Sequence, residues 1–62
     1  MQATERRLVR VPEGARITGL SVATMYRLIA SGKLPVVRIG RAARIDIRDL
    51  EAFIAANKTG AA

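Results

Sequence analysis

The stretch Ala15-Arg16-Ile17-Thr18-Gly19-Leu20-Ser21-Val22-Ala23-Thr24-Met25-Tyr26-Arg27-Leu28 decides how this chain folds. Gly19 can take the left-handed conformation that ends a helix, and Ser21 is a good N-cap, its hydroxyl accepting a free backbone N–H of the next turn. Two helices joined by a tight turn are therefore expected. The first spans about residues 12–18, where Pro12 suits the opening turn because it lacks an amide hydrogen that would be unsatisfied there. Gly14 lowers this helix's propensity. The second runs over about residues 22–31, with Gly32 as its stop. In it Val22, Met25, Tyr26 and Ile29 share one stripe with Leu28 at its edge, while Ala23, Thr24 and Arg27 lie on the other side. One face is apolar and the opposite one small, polar and basic.

After Leu34 the apolar period changes to two. Val37 and Ile39, then Gly40-Arg41-Ala42-Ala43, then Ile45 and Ile47 alternate with Arg38, Arg44 and Asp46. This spacing predicts a hairpin with a four-residue connection, a branched aliphatic inner face and an Arg-rich outer face and tip. Pro35 reads as a stiff connector before it. A third helix is expected from near Arg48, with Asp49 and Glu51 near the positive end of its dipole and Leu50, Phe53 and Ile54 as its apolar stripe. Upstream, Leu8-Val9-Arg10-Val11 reads as a short extended segment. The expected organisation is a flexible basic arm over residues 1–7, one folded domain over 8–57 and a flexible tail over 58–62.

Composition narrows the function. Sixty-two residues carry eleven Lys or Arg against five Asp or Glu, a net charge of +6, with no Cys, His or Trp. A chain this short buries only about 60% of its unfolded surface, so one small domain is expected. The core must be thin, since half the residues are apolar but eleven of those are Ala. Without Cys and His the commonest metal ligands and general base are missing, so no metal, cofactor or catalytic activity is expected. The longest apolar run, residues 52–56, is far shorter than a membrane span, and a cytoplasmic, nucleoid-associated protein is expected. The positive surplus points to nucleic-acid phosphates or an anionic membrane.

The spacing Ala15-x-x-x-Gly19-x-x-x-x-x-Met25-x-x-Leu28 looks like a helix-turn-helix, in which the second helix enters the DNA major groove. The resemblance goes further. Glu13-x-Ala15, Gly19-Leu20-Ser21, Thr24-x-Tyr26-Arg27-Leu28-Ile29, Ser31-Gly32-x-Leu34-Pro35, Arg38-Ile39-Gly40, Arg44-Ile45 and Asp49-Leu50-x-x-Phe53 resemble the excisionase and AlpA-type DNA-binding domains, compact relatives of the MerR winged helix-turn-helix. The match covers residues 8–54. It implies an α+β, mostly helical, winged helix-turn-helix fold with three short helices and a β-hairpin wing between helices 2 and 3. Gly14 stands where the family usually has Ala, and Thr18 where it has a large aliphatic residue. The wing's Arg41-Ala42-Ala43-Arg44 lacks the aromatic residue that many relatives carry before the second Arg.

The family resemblance implies a protein that binds double-stranded DNA by recognition helix and wing. In excisionases such a protein assembles cooperatively head to tail on repeated sites, bends DNA and directs an integrase toward excision. A small AlpA-type transcriptional regulator is the alternative. The recognition-helix candidates are Ser21, Ala23, Thr24, Tyr26 and Arg27, and the wing candidates are Arg38, Arg41 and Arg44. Arg10 and Lys33 are candidate phosphate contacts. Arg27 suits bidentate pairing with guanine or a phosphate clamp, while Thr24 suits a base edge or helix capping. Arg41 and Arg44 suit the minor groove or its phosphates, against the alternative of a charged edge that blocks strand association. Tyr26, the one Tyr, is expected to pack against the wing with its hydroxyl toward a phosphate. Recombinase chemistry by it would need a catalytic basic cluster on a larger scaffold.

Two other binding classes fit less well. A membrane-coating peptide needs one helix with a broad apolar face opposite its cations, whereas these apolar positions follow three helices and a hairpin. RNA recognition on a sheet needs stacking aromatics there, and Tyr26 and Phe53 both fall on expected helices.

Overall fold

A computed structural model describes residues 7–59. The chain order is β1 (Leu8–Val9), α1 (Val11–Thr18), α2 (Val22–Ala30), β2 (Val37–Ile39), β3 (Ala42–Asp46) and α3 (Ile47–Ala56). Three helices and an antiparallel hairpin between the second and third make the α+β winged helix-turn-helix arrangement expected. The extended segment at Leu8 does more than lead in. It pairs antiparallel with β3, so the sheet has three strands in the order β1-β3-β2, with β3 in the middle.

Local signals explain the helix ends. α1 starts at Val11, one residue earlier than expected, with Arg10 as its N-cap and Pro12 in its first turn. It stops at Gly19, whose φ of 78° is strained for any side chain with a Cβ and whose N–H donates to the Ala15 carbonyl. Ser21 caps α2 as expected, its Oγ accepting from the Thr24 N–H at 3.1 Å. Asp46, expected only to alternate along the hairpin, instead caps α3: its Oδ1 accepts from the Arg48 N–H at 2.9 Å. Ile47, expected as a strand residue, is therefore the first residue of that helix.

The core is small and drawn from every layer. Val9, Val11, Ala15, Met25, Leu34, Ile45 and Leu50 are buried, with Leu28, Ile29, Val36, Ile47 and Phe53 packed around them. Gly14 is also buried, and a Cβ there would lie 3.0 Å from Ile45 Cδ1 and 3.2 Å from Met25 Cε. The residue that weakens α1 as a helix thus lets α1 approach the sheet and α2 closely. Thr18 is accommodated too, since its hydroxyl donates to the carbonyls of Gly14 and Ala15 at 3.0 and 3.2 Å.

The hairpin departs from expectation in its phase. Ile39 pairs with Ala42, so the connection is the two residues Gly40 and Arg41 rather than four. Gly40 has φ of 61° and Arg41 is not in the positive-φ region, the signs of a II′ turn. Directly paired residues share a face, and the pairs are Val37 with Arg44 and Arg38 with Ala43. Val37 and Ile39 therefore lie on the face of Arg44, opposite the buried Ile45, while Arg38 lies on Ile45's side. A period of two fixes alternation within each strand but carries no phase across a turn. The single aliphatic inner face expected over Val37, Ile39, Ile45 and Ile47 is corrected accordingly, and Ile39 is 59% exposed.

Three other apolar assignments change. Val22, Tyr26 and Ile54 are 40%, 52% and 40% exposed, because a core this thin covers only the middle of each helix's stripe. Of the expected N-terminal arm, Arg7 lies among the described residues and is held: its Nε donates to Asp46 Oδ2 at 2.9 Å, and its carbonyl accepts from the Ile47 N–H. Residues 1–6 of that arm and 60–62 of the expected tail lie outside the described residues. Among the described residues no helix is long and apolar enough to cross a membrane.

Candidate nucleic-acid interface

The short hairpin turn sets the main basic surface. With Gly40 and Arg41 alone at the tip, Arg41 is exposed there, and Arg38 and Arg44 follow it on opposite faces of β2 and β3. An open groove of about 460 Å³ runs between the wing, the start of α1 and one side of α2. Arg10, Tyr26, Arg38, Arg41 and Arg44 line it together with small or apolar residues, and among the described residues no acid lines it. The wing arginines thus share one recess with Tyr26 of α2 and with Arg10, the candidate phosphate contact ahead of α1. Arg44 is half-buried, and its Nη1 donates to the Ala43 carbonyl at 3.0 Å, which restrains the guanidinium along the strand.

A second, smaller recess of about 270 Å³ is formed by Thr24, Arg27, Leu28, Ser31 and Lys33. It follows from the end of α2. Ser31 caps the helix and donates its hydroxyl to the Leu28 carbonyl at 3.0 Å, and Gly32 with φ of 80° turns the chain so that Lys33 comes beside Arg27. At the other end of α2, Ser21 Oγ donates to Thr24 Oγ1 at 2.9 Å while accepting the Thr24 amide. Capping ties the two hydroxyls to each other and leaves Ser21 exposed. Ala23 is exposed on α2 and lines neither recess.

The clustering has an electrostatic consequence. Like charges held together in a recess focus a positive potential and attract a polyanion, and Asp46 and Asp49 are placed away from it. Asp46 is 8% exposed and engaged by Arg7 and by Arg48, whose Nε lies 3.7 Å from Oδ1. Asp49 sits in the first turn of α3, where the helix dipole favours it.

One surface was not foreseen. Thr18, Leu20, Thr24, Leu28, Phe53 and Ile54 line an apolar groove of about 500 Å³ between α1, α2 and α3. Its sequence signal is Leu20, an apolar residue between a helix stop and an N-cap, together with Ile54 at the edge of its stripe. Thr24 and Leu28 belong to this groove and to the smaller basic recess, so the two surfaces adjoin along α2.

The pairing of α1 with α2 through the Gly19 turn is matched by the family model for a helix-turn-helix domain, over residues 8–58. The chain belongs to the helix-turn-helix domain family. Two Mycobacterium tuberculosis proteins, from strains CDC 1551 / Oshkosh and ATCC 25618 / H37Rv, carry names that describe them as candidate DNA-binding proteins. Each is 41% identical to this chain over 44 residues, which is 71% of this chain and 56% of the relative. The chain thus spans little more than half the length of these relatives. No solved structure matches it significantly. In helix-turn-helix terms α2 is the second helix of the motif, and the hairpin beside it supplies the larger basic groove.

Proposed function

We propose that this helix-turn-helix domain binds double-stranded DNA, with α2 in the major groove and the hairpin tip over the adjoining minor groove or its phosphates. The observation that carries this reading is the convergence of Arg10, Tyr26, Arg38, Arg41 and Arg44 on one groove beside α2. In the proposed arrangement Arg27 and Ala23 face base edges, with Thr24 close to them. Arg41 and Arg44 belong to the wing contact, Arg38, Arg10 and Lys33 bind phosphates, and Tyr26 directs its hydroxyl to a phosphate. Ser21 combines its capping role with donation to the backbone. Phosphate contacts of this kind set register and affinity, while base contacts specify sequence.

The finer reading is an excisionase, an accessory factor that occupies and bends attachment-site DNA and promotes integrase-mediated excision. It is supported by the run of excisionase-like blocks from Glu13 to Phe53, and it implies an integrase partner and cooperative binding to adjacent sites. Gel-shift titration against duplex DNA, single-stranded RNA and anionic vesicles tests the binding class, with duplex binding tightest by the proposal. Reconstituted excision with a cognate integrase and its attachment sites tests the role: excision that needs this protein supports it, and full excision in its absence rejects it in favour of a transcriptional regulator.

A further inference from the structure

We infer that α2 discriminates only guanine and thymine in the major groove, with no side chain that selects adenine or cytosine. This deepens the DNA-binding proposal and rests on it. The four base pairs present different edges in the major groove. Adenine is read by a side chain with both donor and acceptor, Asn or Gln, and the cytosine amino group by an acceptor, Asp or Glu. The α2 sequence VATMYRLIA contains none of these four residue types, and neither do Ser31 and Lys33 of the adjoining recess. Asn57 lines the apolar groove and donates to the Phe53 carbonyl, and among the described residues no acid lines either basic recess.

What α2 does expose is Arg27, a two-pronged donor that matches guanine O6 and N7, and the apolar side chains of Val22, Ala23 and Ala30, which match a thymine methyl. Lys33 adds a second donor beside Arg27. The hydroxyls of Ser21 and Thr24 bond to each other at 2.9 Å, and hydroxyls accept either kind of base edge, so they do not discriminate. Tyr26 points its exposed ring into the wing groove among arginines. Ala23 and Arg27 stand four residues apart on one face, a rise of about 6 Å along the helix. That rise matches about two base-pair steps of about 3.4 Å, which places the contacted thymine about two base pairs from the contacted guanine.

The test uses the full chain and a randomised duplex pool. Sites enriched by repeated selection are resynthesised with 7-deazaguanine for guanine, deoxyuridine for thymine or 7-deazaadenine for adenine, one position at a time. The inference expects a loss of about 5-fold or more at one guanine, where N7 is removed. It expects a loss of about 4-fold at a thymine about two pairs away, where a methyl is removed. No position should lose affinity to 7-deazaadenine. In a second arm, Arg27→Gln, an exposed change that leaves the core intact, should move the preference at that one position from guanine to adenine. Sensitivity to 7-deazaadenine with indifference to 7-deazaguanine overturns the inference while leaving DNA binding intact. An Arg27→Gln variant that keeps the guanine preference overturns it too. If no duplex in the pool binds at low salt, the DNA-binding proposal falls and the inference falls with it.

Discussion

Ile39 pairs directly with Ala42, so the chain reverses through Gly40 and Arg41 alone. This pairing puts a guanidinium at the apex of the hairpin and sets the phase of every other wing residue. Gly40 holds φ of 61°, a conformation that L side chains adopt at a cost. Gly40→Ala is expected to destabilise the fold by about 1–2 kcal/mol and to weaken duplex binding beyond that loss, since the tip must reshape. Urea denaturation measures the first effect. Anisotropy titration at a temperature where the variant is folded measures the second.

Arg41→Ala and Arg27→Ala should behave differently. Removing Arg41 should weaken binding evenly across sequences and lower the salt slope by about 1, the signature of a lost phosphate contact. Removing Arg27 should cost about 1–3 kcal/mol on the preferred site and relax selectivity at one position. Parallel titrations on preferred and scrambled duplexes separate them.

Asp46 joins the start of the described chain to the start of α3, capping the helix through the Arg48 amide and pairing with Arg7 Nε at 2.9 Å. Asp46→Ala should cost about 1–2 kcal/mol, combining a lost cap with the lost charge-assisted bond from Arg7. Asp46→Asn keeps an acceptor for the amide and should recover part of that loss. Thermal unfolding of both variants checks the order. An Ala variant as stable as the unchanged protein would show that the cap contributes nothing.

Gly14→Ala sets two effects against each other. Ala raises helix propensity by about 0.8–1 kcal/mol, but its Cβ would stand 3.0 Å from Ile45 Cδ1 and 3.2 Å from Met25 Cε, both on fully buried side chains. Overpacking a filled core costs about 1–3 kcal/mol, so a net destabilisation of about 1 kcal/mol is expected from the denaturation midpoint.

Most of the fold is legible in the chain because its signals are local. Gly19, Ser21 and Gly32 fix helix ends by backbone chemistry that needs no distant partner, and the elements they bound follow. What depends on distant contacts is not legible. Asp46 reads as one polar residue in an alternating strand until Arg7, thirty-nine positions away, is seen to pair with it. Gly14 reads as a weak point until the sheet is laid against it. The phase of β2 against β3 depends on a turn whose length the alternation alone does not specify, which is why Ile39 was expected inside and lies outside. For the candidate site, the residue types and their rough faces are readable from the helix stripe and the Arg spacing. Their convergence on one groove, and the apolar groove beside it, belong to the tertiary structure.

The central claim is that a clustered set of cations meets the phosphates of duplex DNA. Among the described residues, Arg10, Lys33, Arg38, Arg41 and Arg44 are the cations of the two basic recesses proposed to meet phosphates, with Arg27 on a base. If all five release counterions, the logarithm of the duplex binding constant should fall against the logarithm of salt concentration with a slope of about −4.5. The direct test is fluorescence anisotropy of a labelled duplex titrated with the full chain at several salt concentrations. A slope of about −4.5 is the expected result, and a slope near zero, or no duplex binding at the lowest salt, contradicts the proposed phosphate contacts.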